Sequence, residues 1–433
     1  MYTQDLQRTL LRLDALTNWE HRARGAMRMS LEPMRDLVER LGNPHLGFRA
    51  IHVTGTKGKG SVSSLLEAAL LKAGLSVGRY ASPHLQRINE RISLTRTPIS
   101  DQKLSDCLTL ALDAQEAARS ADTPAGEATW FDLLTAAAFL AFMEARLSWV
   151  VLEVGLGGLN DSTNVVDGEI AVVTNVELEH TEVLGATRSA IAAEKVGILK
   201  PGARLVTTLP STDEAGRVLQ NRAHSLGCPS VLVPMYPGER IEAGNVRIAA
   251  AVLDCLGQEE FPTCSTVSRS PNRIGGWLLD ESVRTSARLP GRLERFYVDG
   301  PHRRRLTVVM DGAHVPFNLE AVFRDLNEDA DLTGPCVAVV GMGSDKDAPG
   351  LMKVLSRYAS SIVFTELPGP FHGVRCDDLS GLAASAGIAS EIRSTVSPAV
   401  ERAMELASNE SGWVLVTGSL HLVGAARSLP IFR

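Results

Sequence analysis

Between an apolar run and a long apolar stretch the chain reads Gly55, Thr56, Lys57, Gly58, Lys59, Gly60, Ser61. The three glycines let it curl with no Cβ in the way. A loop of this kind opening a helix turns several backbone N–H groups toward one point, and the helix dipole adds positive potential there. Lys59 supplies a cation suited to terminal phosphates, and the Ser61 hydroxyl suits a phosphate oxygen or magnesium. The strict GxxxxGK[ST] pattern is not met, because Val53 stands at the first glycine's place and Gly60 separates Lys59 from Ser61. A glycine loop alone could be a flexible turn. With "AIHVT" reading as a strand before it and an amphipathic helix pattern after it, the loop reads as a cradle for a nucleoside triphosphate.

The elements that must hold this loop follow a regular rhythm. "AIHVT" (50–54), "WVVLEV" (149–154), "IAVVTNV" (170–176) and "ARLVTT" (203–208) are strand candidates. "SVSSLLEAALLKAG", "DLLTAAAFLAFMEAR" and "TRSAIAAEKVGIL" between them have helical patterns. Strands apolar on both faces and separated by helices predict a parallel sheet covered on both sides. Residues 257–290, rich in Ser, Pro and Gly, read as a peripheral excursion ending in a linker near Arg288. A second alternating series, "RLTVVMDGAH", "PCVAVVGMG", "SSIVFTEL" and "GWVLVTGS", follows. The fold class is α/β: a P-loop, mostly parallel-sheet ATP-binding domain over 1–288, then a smaller Rossmann-like α/β domain over 289–433.

Composition narrows the function. A chain of 433 residues, 44% hydrophobic and 22% charged, can bury two sizeable cores. A net charge of −6 leaves no basic excess for a general nucleic-acid binder. Arg303, Arg304 and Arg305 read as a solvated hairpin tip. The six cysteines form no CxxC pair, which fits a reducing cytoplasm, and no segment reads as a signal peptide or membrane span.

The runs "LGNPHLGFRAIHVTGTKGKGSVSSLL", "SPHL", "ERI", "LEVGLGG", "STNVV", "EHTEVLG", "AAEKVGILKPG", "LPGRLE" and "DGAH" occur in order over roughly residues 30–425. Together they resemble folylpolyglutamate synthase/dihydrofolate synthase, the folate branch of the Mur-ligase-like, ATP-dependent amide-forming family. The resemblance implies that ATP converts a pteroate or folate carboxylate into an acyl phosphate, which the amine of L-glutamate attacks. Two anions must meet, so positive charge and positioning have to carry the reaction. It also implies a cytoplasmic monomer acting on small molecules, with no nucleic acid or membrane partner.

By the same resemblance Ser82 and Glu153 are expected to meet one magnesium, and His180 and Lys195 a second, with Lys195 carbamylated. Each has an ordinary reading beside it: Ser82 a loop serine, Glu153 a surface or capping carboxylate, His180 a hydrogen-bonded structural histidine. Lys195 could instead snorkel to the surface, leaving Lys200 as the solvated lysine. Arg292, after the linker, is expected on the ATP phosphates, with Asp311 and His314 completing the nucleotide site. Asn245 resembles an adenine-side asparagine before a helix, and a helix cap is its alternative. Because Lys59 and Arg292 fall in different domains, hinge closure is expected to assemble the site.

On the pterin side Thr129, Phe131 and Asp132 are expected to face the pocket, unless their helix is simply buried; Asn160 and Asp161 follow on the loop. The chain departs from the family's usual pattern in having Leu159 for arginine, Lys57 for asparagine, Glu179 for aspartate and Val315 for asparagine. A Mur-like ligase acting on a non-folate acid is the runner-up. A nucleotide switch would need a base-specifying motif such as NKxD, which is absent, and a folate-binding paralogue without turnover would have no need of the intact polar set.

Overall fold

The computed structural model describes residues 2–20, 30–258, 274–299, 305–369, 371 and 373–432. The chain divides into two compact units, Met1–His84 with Ile88–Pro237 and Glu242–Arg288, and Leu85–Arg87 with Gly238–Ile241 and Leu289–Arg433. Arg303 and Arg304 lie outside the described residues, as do Cys264 and much of the 257–290 stretch. The other five cysteines are free and buried. No helix among the described residues is long and apolar enough to cross a membrane.

The larger unit is built on eight strands: β1 Arg49–Thr54, β2 Val77–Tyr80, β3 Ile92–Leu94, β4 Thr97–Pro98, β5 Trp149–Glu153, β6 Ile170–Val173, β7 Arg204–Thr207 and β8 Ser230–Leu232. Their order is β4-β3-β2-β5-β1-β6-β7-β8. All neighbours are parallel except β2–β3 and β3–β4, which form an antiparallel edge. That edge and the short β8 are absent from the sequence reading, since runs of two to four residues carry too little periodicity to register.

Both faces of the sheet are apolar because both are covered. Ile51, Val53, Val151 and Val172 pack with the helices Lys59–Lys72 and Ile241–Gly257. Ala50, Val150 and Leu152 pack with the helices Asp101–Ser120 and Trp130–Glu144, and Ala171, Val173 and Leu205 with Arg188–Lys195 and Glu214–Ser225. The helix Lys59–Lys72 is not the amphipathic helix expected, being buried at every residue from Val62 to Leu70. Small Ser63, Ser64, Ala68 and Ala69 fit it between neighbours on all sides.

β1 lies between β5 and β6. The chain leaves β1 toward β2 on one side, and leaves β6 toward β7 on the other. Such a reversal opens a crevice beyond the carboxyl ends of the strands, where the loops after β1, β5 and β6 converge.

The smaller unit has six strands: β9 Glu294–Asp299, β10 Arg305–Met310, β11 Cys336–Val340, β12 Ala359–Phe364, β13 Ala389–Ile392 and β14 Trp413–Thr417, in the order β13-β12-β11-β14-β10-β9. Only β9, paired with β10, is antiparallel. Alternate residues serve two cores: Val309, Ala338 and Leu415 face one, Val308, Val337 and Val416 the other.

His52, on β1, is fully buried. Its Nε2 lies 2.8 Å from Thr163 Oγ1, which donates to Asp161 Oδ1, so His52 must be the donor and its unpartnered Nδ1 carries no proton. Burial pushes the His52 pKa down to about 3. The unfolded chain takes up a proton near pH 6.5 and the folded chain does not, so stability falls as pH drops from 6.5 toward 3. From pH 7 to pH 5 this one group should cost about 2 kcal/mol. Urea unfolding at the two pH values should show a smaller difference for His52→Gln than for wild type, and an equal difference would refute the assignment.

Candidate active site

The loop after β1 is pinned by the chain leaving β6. Asn175 Oδ1 accepts the N–H groups of Thr56 (3.1 Å) and Lys57 (2.8 Å), and Thr174 Oγ1 donates to the Lys57 carbonyl at 2.5 Å. The Thr56 hydroxyl and residue 177 exchange hydrogen bonds. Gly55 has φ 147°, and a Cβ there would lie 1.9 Å from Thr174 Oγ1. Gly58, at φ 82°, is the N-cap of the helix Lys59–Lys72 and offers no capping side chain. The first N–H groups of that helix are therefore left for an outside acceptor. Lys59 Nζ folds back onto the Gly55 carbonyl at 2.9 Å. Gly60 and Ser61 lie in the same first turn.

Asn245 is not before a helix, as expected, and is not its cap. It lies inside Ile241–Gly257, whose start the sequence reading put too late. From there it reaches the loop: a Cβ on Gly58 would sit 2.6 Å from Asn245 Oδ1.

Glu153 ends β5 and is buried. Ser82 follows β2, which leaves the sheet with Tyr80 paired to Leu152, the residue before Glu153. Thr129 and Asp132 form a reciprocal capping box on the helix Trp130–Glu144. The second Asp132 oxygen accepts from Ser162 at 2.6 Å. Phe131 packs at 6.0 Å from Tyr80 and lies against Gly155. Asp161 receives Thr163 and the Leu156 N–H, yet burial outweighs these bonds and raises its pKa. Asn160 is half-buried beside it.

Lys195 ends the helix Arg188–Lys195, is 5% exposed, and makes no hydrogen bond or ion pair among the described residues. Its pKa falls to about 7, chiefly through burial and then through the charge of Lys59. Lys200, by contrast, is tied to the Asn164 carbonyl and Asp167. His180 is left-handed at φ 54° and caps the short turn Thr181–Leu184. Glu179 joins it to the loop: its Oε1 lies 3.8 Å from His180 Nε2 and 3.3 Å from Lys57 Nζ. Lys57 and Glu179, both departures from the usual pattern, are thus each other's partner.

Ser82, Glu153, His180 and Lys195 can be tested as a magnesium set on their chemistry. No three His, Cys, Asp or Glu side chains come together as ready ligands among the described residues. Only Glu153 and His180 of the expected set are of those types. Glu153 and Ser82 offer the hard oxygens that magnesium takes, and Lys195 fits only once its cation is replaced by an oxygen ligand.

In the smaller unit Arg292 is exposed and unpaired among the described residues. Asp311 lies just beyond β10, accepting the N–H groups of Leu293 and Ala313, and His314 Nδ1 is 2.8 Å from the Gly312 carbonyl. The sequence reading missed Thr174 and Asn175, which sit in "VVTNV" and look there like more strand. It missed Arg91 too, a buried guanidinium forked onto Glu20 at 2.8 and 2.6 Å and bonded to His84. No short motif marks Thr174 and Asn175, whereas Arg91 stands in the run "ERI" and was given no role there.

Residues 53–249 match the Mur ligase middle domain, and residues 291–420 match the domain described as Mur ligase, glutamate ligase domain. The chain is 30% identical over 432 residues to a Bacillus subtilis dihydrofolate synthase/folylpolyglutamate synthase, covering 95% of this chain and 97% of that one. E. coli FolC, solved with DHPP and ADP, superposes with a TM-score of 0.78 at 27% identity, over 97% and 96% of the two chains. A bifunctional folylpolyglutamate synthase/dihydrofolate synthase solved with Mn, AMPPNP and L-glutamate gives 0.76 at 28%, over 99% of each.

Gly55→Ala should force Thr174 or the loop aside. A loss of about 1–3 kcal/mol in urea unfolding is expected, as for other overpacked interiors. Wild-type stability in this variant would mean that the close approach does not exist.

Proposed function

The chain belongs to the folylpolyglutamate and dihydrofolate synthases of the Mur ligase family, and from that premise we propose that it uses ATP to join L-glutamate to a pteroate or folate carboxyl group through an acyl phosphate. The observation that carries the reading is the glycine loop: a helix start with no side-chain cap, its N–H groups free for phosphate oxygens, and Lys59 folded over the same turn. Gly55 to Ser61 bind the ATP tail in this reading. Lys59 counters the terminal phosphate charge and Asn245 lies beside the loop on the nucleotide side.

Glu153 and Ser82, with His180 and a carbamylated Lys195, are the groups that would hold magnesium, two ions in our reading. Bound magnesium supplies the positive charge that lets phosphate and carboxylate oxygens approach. Lys195 suits its part because it is buried, unpaired and close to losing its proton at neutral pH. Its neutral amine can attack carbon dioxide, forming a C–N bond and releasing one proton, which leaves an anionic carbamate with two oxygens. Arg292 carries a guanidinium for the transferring phosphoryl group. Thr129, Phe131, Asp132, Asn160 and Asp161 line the pterin side: Phe131 offers a ring face, while the capping box and Asp161 hold the backbone around it. We further propose a monomer working in the cytoplasm.

Lys59→Ala should reduce ADP release by at least about a hundredfold with dihydropteroate or folate and L-glutamate, while the circular dichroism spectrum stays unchanged. Near-normal release would remove the loop from the reaction. Protein equilibrated with carbon-13 bicarbonate should show a carbamate carbonyl resonance that Lys195→Arg lacks, and Lys195→Arg should be inactive; a fully active Lys195→Arg would refute the carbamate. Glu153→Gln should shift the magnesium titration of turnover to higher concentration, and an unshifted curve would exclude Glu153 as a ligand.

A further inference from the structure

We propose that His52 and Thr163 are positioning residues for the acid substrate: a relay of hydrogen bonds out of β1 holds Asp161 so that one carboxylate oxygen stays turned to the pterin side. The inference rests on the reading of Asp161 as a residue of that side and adds the two residues behind it.

The relay lies within the larger unit. His52 and Thr163 are fully buried, and Asp161 is 4% exposed. The His52 Nε2–H donates to Thr163 Oγ1 at 2.8 Å, and that hydroxyl donates to Asp161 Oδ1 at 2.5 Å. The Thr163 N–H donates to the same oxygen at 3.0 Å. Oδ1 is therefore committed to position 163. Oδ2 differs: among the described residues it accepts the Leu156 N–H alone, at 2.9 Å. A carboxylate oxygen has a lone pair for a second donor.

Beside Oδ2 the chain leaves a gap. Gly155 is exposed, and a Cβ there would sit 2.6 Å from Phe131 Cζ and 3.2 Å from Asp161 Oδ2. An aromatic edge and a carboxylate oxygen thus flank a place that glycine keeps open. A flat heterocycle with N–H groups on its rim suits such a place, since a few convergent polar groups on an apolar wall fix a ligand's orientation.

His52 does more than fill space. Its Nδ1 is buried without a partner, which destabilises the fold. An apolar side chain would pack there without that loss, so the Nε2–H donor is what histidine adds. Held from behind by that donor, the Thr163 hydroxyl has one direction left in which to donate. Burial raises the Asp161 pKa, and the Thr163 hydroxyl is the first of the bonds opposing the rise. Two residues on, Thr54 Oγ1 donates to the Gly157 carbonyl at 2.8 Å, just before the glycine loop begins. One strand therefore fixes both the phosphate loop and the loop that carries Asp161.

Steady-state ADP release, with dihydropteroate or folate varied at saturating ATP and L-glutamate, tests the relay. Thr163→Val should raise the KM for the acid about tenfold, with kcat and the KM values for ATP and L-glutamate within about twofold of wild type. Thr163→Ser keeps the hydroxyl and should stay within about threefold. An unchanged acid KM in Thr163→Val would overturn the proposal, as would a fall in kcat with all three KM values shifted together. In an Asp161→Ala background, Thr163→Val should add less than about twofold, and a further tenfold loss would show that Thr163 acts by another route. A wild-type acid KM in Asp161→Ala would instead refute the reading of Asp161 itself. Should Thr163→Val not fold, position 52 gives the answer. His52→Leu should raise the acid KM about threefold or more, while His52→Gln, whose amide N–H can replace Nε2–H, should restore it. Equal KM values in the Leu and Gln variants would also overturn the proposal.

Discussion

A helix must satisfy or surrender the N–H groups of its first turn, and the helices of this chain divide on that choice. Thr3, Ser100, Thr129, Thr187, Asp213, Asp280, Asp347 and Ser419 each accept a first-turn N–H. Gly58 cannot, and it stands before a helix buried at every residue from Val62 to Leu70, at the carboxyl end of the central strand. A cap lost elsewhere costs about 1 kcal/mol. Here the chain forgoes it, and the loop's geometry is instead held from behind by Thr174 and Asn175. Donors left open toward the crevice are what an anionic ligand can use, so the rest of the larger unit can be understood as support for this one helix start.

Charge raises the opposite problem. The charges of Lys59 and Lys57 both act on buried Lys195 and lower its pKa, a repulsion gathered at one place. Glu179 relieves it, standing against Lys57 with both side chains less than a fifth exposed. A pair so sheltered gives up hydration to form, so it contributes little to net stability and more to placement. What it places is the segment from β6 to His180, already tied to the loop through Asn175. With Lys57 committed to Glu179, Lys59 and the N–H groups are left to face phosphate, which is why two substitutions that look unfavourable singly are compatible together.

Much of this was legible in the sequence, for identifiable reasons. Strands such as "WVVLE" and "CVAVV" are apolar on both faces, and that continuous pattern survives without any knowledge of neighbours. Glu153 stood out because a carboxylate ends such a run. β9 was not legible: "ERFYVD" alternates weakly, and its pairing depends on a partner across a turn. Asn245 was misplaced because nothing in "IEAGNVRIAA" marks where the helix starts, and the preceding segment belongs to the other unit. Thr129 and Asp132 carry the spacing of a capping box, and the structure spends their polar atoms there; any part in ligand binding must come through the helix start they fix and through Phe131 between them. The pins at Thr174 and Asn175 were invisible because side chain-to-backbone bonds across strands leave no periodic trace.

The loop after β5 joins these threads. A Cβ on Gly158 would meet the carbonyls of Lys195 and Glu194 at 2.7 and 2.8 Å, and a Cβ on Gly157 would strike Leu184. The Leu159 N–H donates to the Glu194 carbonyl at 2.8 Å, and Asn164 takes up the Leu159 carbonyl. The glycines are therefore there to let the loop lie on the end of the helix that carries Lys195, rather than to make it mobile. Glu153 and Asp161 are at the two ends of that loop, so a displacement at Lys195 would be felt by both. Leu159, half-exposed, has its backbone fixed by the same contacts. Its side chain lies against the same helix end, since a Cβ on Gly197 would sit 2.9 Å from Leu159 Cδ1, so the residue at 159 and the turn that follows Lys195 constrain each other.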